Sequence, residues 1–155
     1  MIIGSTDGTI QVYDQNKTLL KSFKEYDDEI TFIKPLSNNL IACSSNDYSI
    51  KIWHATNWSL KLNYTDHSRY FINGVNGLEY DGDKQILLSS GPNGMLVWSA
   101  DNGTLVKKIQ RNTKKSKIFS LLRLTSHKHE PKQRLVMTGG EYGRIKLWDL
   151  RFRKD

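Results

Sequence analysis

Few residues of this chain combine the types and the spacing that enzyme chemistry requires. His127 and His129 lie beside Glu130 in the polar stretch TSHKHEP, and imidazole and carboxylate groups both bind metal ions. A dedicated metal site normally needs three or four ligands, so we expect a solvated loop here and no metal site. Cys43 lies in the apolar run LIACSS, where a small buried residue is expected instead of a nucleophile.

The chain also lacks the motifs that bind phosphate groups or activate a nucleophile. The sequence therefore predicts a protein with no catalytic residues and no cofactor. Its 37% hydrophobic and 25% charged residues are typical of a folded domain. It has a single cysteine, no signal peptide pattern and no apolar run near the ~20 residues of a membrane span. We expect an intracellular protein of the cytoplasm or the nucleus.

The positive charge is concentrated in one loop-rich segment, residues 107–134. This segment has ten Lys/Arg and one acidic residue, whereas the other residues have thirteen Lys/Arg and fifteen acids. A basic run such as KKIQRNTKKSK, which contains Lys114 and Lys115, is suited to RNA or to an acidic protein. The interleaved aromatic residues of a single-strand binding platform are missing. A solvated insertion is the alternative interpretation, and binding that does not depend on salt would exclude the nucleic-acid hypothesis.

An internal repeat organises the whole chain. Four stretches share a turn, an alternating apolar pattern and a final aromatic residue: DGTIQVYD at 7–14, DYSIKIWH at 47–54, NGMLVWS at 93–99 and YGRIKLWD at 142–149. The aromatic residues are Tyr13, Trp53, Trp98 and Trp148, at spacings of 40, 45 and 50 residues. Repeats at such spacings are typical of stacked supersecondary units.

Each stretch follows a second apolar run that ends in small residues, as in NLIACSS and RLVMTGG. An apolar run, a tight turn and an alternating run together predict a β-hairpin. Further short apolar runs before and after the hairpins complete units of four strands, and no segment has a sustained helical period. The sequence predicts an all-β protein of about four four-stranded units. The first unit lacks its innermost strand and the last lacks its outermost strand.

These units resemble the WD repeats of β-propellers, and the resemblance covers nearly the whole of residues 1–155. Its most specific carriers are GRIKLWDL at 143–150 and SIKIWHATNWSLKL at 49–62. The resemblance implies a propeller segment of WD-type blades that acts as a non-enzymatic scaffold for protein partners. The strand count of three, four, four and three implies a ring that missing sequence or another chain completes. We therefore expect the purified chain to associate, since unpaired blade edges invite pairing.

The family joins a His, a Ser or Thr, an Asp and the Trp of each blade by hydrogen bonds. The resemblance assigns such structural roles to Asp7, Tyr13, Asp47, Trp53, His67, Trp98, Trp148 and Asp149. No unit keeps the full set. Tyr26 stands where the second unit would have its His, and Pro92 replaces the Asp of the third.

Two short stretches are candidate sites for partners. Arg69, Tyr70 and Phe71 combine a cation with aromatic rings, a composition typical of interaction hot spots. Burial of the two aromatic rings in the core is the alternative. The sequence Trp148-Asp149-Leu150-Arg151 resembles the Trp-Asp-x-Arg motif of WD-repeat substrate receptors for cullin–RING ubiquitin ligases. The leading hypothesis is a scaffold within a larger assembly, and the alternatives are RNA or ribonucleoprotein binding through 107–134 and ligase reception through Arg151.

Overall fold

The chain folds into four antiparallel sheets that follow one another in sequence. The computed structural model describes residues 1–64, 74–92, 94–110, 118–124 and 135–150. Within these ranges the first sheet is β1 (Ile2–Gly4), β2 (Thr9–Tyr13) and β3 (Leu19–Lys24). The second is β4 (Ile30–Pro35), β5 (Leu40–Ser45), β6 (Ile50–His54) and β7 (Leu60–Tyr64). The third is β8 (Gly77–Asp81), β9 (Ile86–Gly91), β10 (Gly94–Ser99) and β11 (Leu105–Gln110). The fourth is β12 (Ile118–Leu124), β13 (Leu135–Gly140) and β14 (Arg144–Asp149).

We refer to these sheets as blades 1 to 4. Their three, four, four and three strands confirm the predicted all-β architecture of propeller blades with incomplete terminal blades. The helical conformation in the described ranges is limited to a 3-10 turn at Glu141–Gly143, between β13 and β14. No helix in this part of the chain is long and apolar enough to cross a membrane.

We number the strands of a blade from the innermost, so that blade 1 begins with its second strand. Tight turns join the second and third strands of blades 1, 2 and 4, as the turn residues predict. In blade 1 the carboxylate of Asp7 accepts hydrogen bonds from the hydroxyl of Ser5 and from the backbone amide of Thr9. Gly8 follows at a φ of +85°, and a Cβ there would lie 2.1 Å from the carbonyl oxygen of Tyr26. Only glycine therefore allows this turn to approach the strand connection of the next blade so closely.

Three apolar clusters hold the blades together, one between each successive pair. Ile10 and Val12 of blade 1 pack with Trp53 of blade 2. Blades 2 and 3 share a cluster that includes Ile52 and Trp98, and blades 3 and 4 share one that includes Val97, Leu121 and Val136. Each clustered strand alternates its side chains between its two faces, so both faces of blades 2 and 3 are apolar and covered.

Candidate interaction surface

The aromatic residue of each repeat lies at an equivalent place in its blade. Trp98 is opposite Leu87 on the neighbouring strand, and its indole Nε1 donates a hydrogen bond to the hydroxyl of Ser89, two residues farther along, at 2.9 Å. Trp148 is opposite Val136, and its Nε1 donates to the Thr138 hydroxyl, again two residues farther along, at 2.8 Å. The hydroxyl residue of the second strand thus satisfies the indole donor in blades 3 and 4.

In blade 2 a residue from outside the second strand accepts the hydrogen bond of the indole. Trp53 is opposite Ile41, so the hydroxyl position holds Cys43, a weak acceptor. The Trp53 Nε1 donates instead to the hydroxyl of Tyr26 at 3.3 Å, and that hydroxyl donates to the backbone carbonyl of Cys43 at 3.1 Å. All three side chains are buried. Tyr26, at the sequence position expected for a His, therefore links the aromatic residue to the second strand.

Burial controls the acid–base behaviour of this network. It raises the pKa of the Cys43 thiol to about 12 and raises the pKa of the Tyr26 hydroxyl above its ordinary range. Both groups stay protonated at neutral pH, so the thiol is not a reactive thiolate. This agrees with the predicted role of Cys43 as a small core residue, which is fully buried.

The turn carboxylates serve local structure. Asp47 accepts a hydrogen bond from the backbone amide of Asp27 at 3.0 Å and from the hydroxyl of Ser49 at 2.6 Å. It therefore ties the turn of blade 2 to the segment that leads into that blade. In blade 1 the hydroxyl of Tyr13 donates to the side-chain oxygen of Gln11 at 3.0 Å. Asp149 is exposed at the end of the last strand.

Ion pairs join the inner strands of neighbouring blades. Lys34 Nζ of blade 2 lies 2.8 Å from Glu79 Oε2 of blade 3. Arg123 Nη2 of blade 4 lies 3.1 Å from Asp81 Oδ1 of blade 3 and 3.5 Å from Asp83 Oδ2. Sequence reasoning missed these pairs, because nothing in the strand pattern shows which residues forty or more positions apart come into contact. Arg123 belongs to the basic segment 107–134, so part of that segment's charge is balanced inside the fold.

In the part of the chain that the structure describes, the last sheet has a face that no other blade covers. In β14 the side chains of Ile145 and Leu147 point away from blade 3, and they are 72% and 58% exposed. Leu122 and Met137 share a cross-strand row with Leu147, and Leu122 is 48% exposed. We call these four residues the trailing face. It is apolar over three adjacent strands, which is unusual for a sheet that meets only water.

The first sheet has the complementary open face. Because Ile10 and Val12 point into the cluster with blade 2, the alternate residues of β2 point away from it. These are Thr9, Gln11 and Tyr13, and Ile3 lies opposite Gln11 on β1. We call these four residues the leading face, which mixes one large aromatic ring with polar groups.

Several predicted site residues lie outside the described ranges. They are His67, Arg69, Tyr70, Phe71, Lys114, Lys115 and Arg151, together with the His127 and His129 stretch. The sequence predictions for them stay predictions. Among the residues that are described, no group of three or more His, Cys, Asp or Glu side chains is placed to hold a metal ion.

Comparison with known proteins identifies a repeat of a known family within this architecture. The WD domain, G-beta repeat, family matches residues 17–54, which run from the last strand of blade 1 through the third strand of blade 2. The WD40 β-propeller domain of Doa1 has the same fold, with a TM-score of 0.77, 18% identity and coverage of 98% of this chain. This chain contains a WD repeat, and its fold is that of a WD-repeat β-propeller domain.

Two crystal structures of designed proteins also share the fold of this WD-repeat protein. Computationally designed Ika4 matches 96% of the chain with a TM-score of 0.72 and 21% identity, and designed Ika8 matches 96% with a TM-score of 0.72 and 22% identity. The chain spans 83% of Ika4, but only 42% of Ika8 and 47% of the Doa1 domain. The comparison with curated proteins gave no match. WD-repeat propellers are in general non-enzymatic scaffolds that bind protein partners.

The trailing face was not among the predicted sites, although the sequence contains its signal. In every repeat two apolar residues, at one and three positions before the aromatic residue, lie on one face of the strand, and in blades 1 to 3 that face packs against the following blade. These pairs are Ile10 and Val12, Ile50 and Ile52, Met95 and Val97, and Ile145 and Leu147. The first three pairs are at most 7% exposed, whereas the last is open. Aligning the repeats and asking which pair has no following blade would have identified this surface.

Proposed function

We propose that this WD-repeat protein is a non-enzymatic scaffold within a larger assembly and that it binds a protein partner through its trailing face. The exposure of Ile145 and Leu147 carries the proposal. Equivalent residues in the three preceding blades are buried by a packed β-sheet. A face with the composition of a propeller interface therefore meets solvent in the isolated chain, and burying it is the favourable outcome.

The inner strand of blade 4 strengthens this argument. Lys34 and Glu79, at the equivalent cross-strand positions of blades 2 and 3, form an ion pair with each other. Blade 4 has the apolar Leu122 at that position, and the side chain is about half exposed. The trailing face thus extends its apolar character to the inner strand, where blades 2 and 3 have charged groups.

Site-specific photo-crosslinking in the protein's native cells tests this proposal. A photoreactive amino acid replaces Leu147 in one variant and Val106 in the control variant. Val106 lies on the outermost strand of blade 3 and is 51% exposed, so its exposure matches that of Leu147 at 58%. We expect discrete adducts from position 147 and none from position 106. An absence of adducts at 147, or equal labelling at both positions, would contradict the proposal.

Two alternative functions rest on segments outside the described ranges. RNA binding through 107–134 would weaken with rising salt and with Lys114→Glu and Lys115→Glu. Reception for a cullin–RING ligase would be lost in Arg151→Ala. No contact of the described residues favours either alternative over the scaffold function.

A further inference from the structure

We infer that the partner of the trailing face is the leading face of a second copy of this chain, so that two chains join head to tail into one propeller. This inference rests on the proposed scaffold function and names the partner of the same surface. It follows from comparing the two open faces with the interface that joins blades 1 and 2.

The interface between blades 1 and 2 provides the template. On one side, Ile10 and Val12 of β2 present an apolar row. On the other side, Trp53 of β6 and the second-strand residues Ile41 and Cys43 cover that row. Such pairs of sheets bury their apolar faces by interdigitating side chains from both.

The trailing face reproduces the first side of this template. Ile145 and Leu147 lie at the positions of Ile10 and Val12 relative to the aromatic residue of their own strand. Ile10 and Val12 point into the cluster with blade 2, and Ile145 and Leu147 point away from blade 3, so both pairs lie on the same side of their blades. The chemical difference between them is small, because each pair consists of two branched aliphatic side chains.

The leading face reproduces the second side. Thr9, Gln11 and Tyr13 align with Ser49, Lys51 and Trp53 of blade 2, so each set has a hydroxyl residue, a long polar residue and an aromatic ring in the same order. On the neighbouring strand, Met1 and Ile3 align with Ile41 and Cys43, and Ser5 aligns with Ser45. The two serines have equivalent roles, since Ser5 and Ser45 each hydrogen-bond within the turn that contains Asp7 or Asp47. The first blade therefore has the pattern that blade 2 uses to cover an apolar row.

A single copy does not bring these two faces together. Ile145 and Leu147 are open to solvent, so blade 1 of the same chain does not cover them. The chain spans 83% of Ika4 but 42% and 47% of the two longer propeller chains that share its fold, and two copies approach the length of either longer chain. Two copies would supply eight sheets, which is within the four to eight blades usual for propellers.

The contact is heterologous, since a trailing face meets a leading face. Heterologous contacts close into a ring when the rotation between copies fits, and otherwise give open polymers. Closure by two copies makes two identical interfaces, so the dimer is expected to be the smallest stable species. Light scattering after size exclusion should give a mass of twice the 17.9 kDa of one chain.

Three charged substitutions test the geometry of the dimer. Leu147→Asp changes the trailing face, Tyr13→Asp changes the leading face, and Val106→Asp is a control at an exposed apolar position outside both faces. We expect either of the first two variants alone to weaken dimerisation by roughly 100-fold or more, because each damages both interfaces of the ring. The control variant should dimerise like the parent chain. Circular dichroism shows whether each variant is folded, and Ile145→Thr replaces Leu147→Asp if that variant is not.

Each outcome decides a specific point. A parent chain that is monomeric at all concentrations would overturn the inference. Adducts to another protein at position 147 would then still support the proposed function, so the two failures are distinguishable. A dimer lost in Leu147→Asp but unchanged in Tyr13→Asp would mean that two trailing faces pair with each other, which also overturns the head-to-tail arrangement. A ladder of larger species would overturn the closed two-chain ring.

Discussion

The hydroxyl of Tyr26 is expected to contribute measurably to the stability of blade 2. Tyr26→Phe keeps the aromatic ring and removes only the oxygen that joins Trp53 to the carbonyl of Cys43. The indole N–H of Trp53 then stays buried without this acceptor. An unsatisfied buried donor costs about 1–3 kcal/mol. Because the bond from the indole is long, at 3.3 Å, we expect the lower part of that range, about 1–2 kcal/mol.

Chemical denaturation is the appropriate assay for this prediction. Urea unfolding followed by tryptophan fluorescence gives the change in the free energy of unfolding, and the melting temperature should fall by about 2–8 °C in a chain of this size. Tyr80→Phe is the matched control. The Tyr80 hydroxyl shares a 2.7 Å hydrogen bond with Ser37, but the side chain is only partly buried, so water can replace the lost partner. The control should change stability by less than about 0.5 kcal/mol.

Equal effects of the two substitutions would refute the role assigned to Tyr26. A stabilising effect of Tyr26→Phe would refute it more strongly, because it would mean that ring burial alone holds Trp53. A loss far above 3 kcal/mol would point to a rearranged core, which near-ultraviolet circular dichroism would reveal.

Two further predictions concern groups that the fold buries. Burial raises the pKa of Cys43 from 9.0 to about 12, so iodoacetamide should modify it at pH 8 only after unfolding. Because the thiol has a higher pKa in the folded state, the contribution of Cys43 to stability is complete below pH 9 and is lost as the pH rises toward 12. The free energy of unfolding should fall by at most ~1.4 kcal/mol per pH unit in this range, and Cys43→Ala should reduce that fall. Arg123→Ala removes the cation 3.1 Å from the buried Asp81 carboxylate and should lower the free energy of unfolding by about 1–3 kcal/mol. Asp83→Ala, at a nearly fully exposed carboxylate, should lower it by less than about 0.5 kcal/mol in the same urea titration.

The sequence predicts the blades well because their determinants are local. Alternating apolar residues, tight turns and the recurring aromatic residue specify each hairpin within a few positions. The spacing of Tyr13, Trp53, Trp98 and Trp148 then gives the number of repeats. These features depend on neighbours along the chain, so the strand count of each sheet is predicted without knowledge of the packing.

The contacts between blades are harder to predict, because they join residues that are distant in sequence. Arg123 and Asp81 meet across two inner strands, and nothing in either stretch specifies the other. Tyr26 was placed by its alignment with the family His, but its bond to the Cys43 carbonyl depends on the distance between strands. The open trailing face was missed for the same reason. The apolar alternation at Ile145 and Leu147 shows that a face is suited to burial, but not that its cover is absent.

The two open faces differ chemically in a way that favours a head-to-tail contact. Trp53, Trp98 and Trp148 each lie between two sheets, whereas Tyr13 belongs to none of the clusters that join the described blades. A tyrosine suits a surface that is wet in the free chain and covered in a complex, because its hydroxyl can bond water or, as here, Gln11. The trailing face has no such polar groups at Ile145 or Leu147. Pairing two trailing faces would leave both amphipathic leading faces uncovered, whereas a head-to-tail contact covers one face of each kind and repeats the chemistry of the interface between blades 1 and 2.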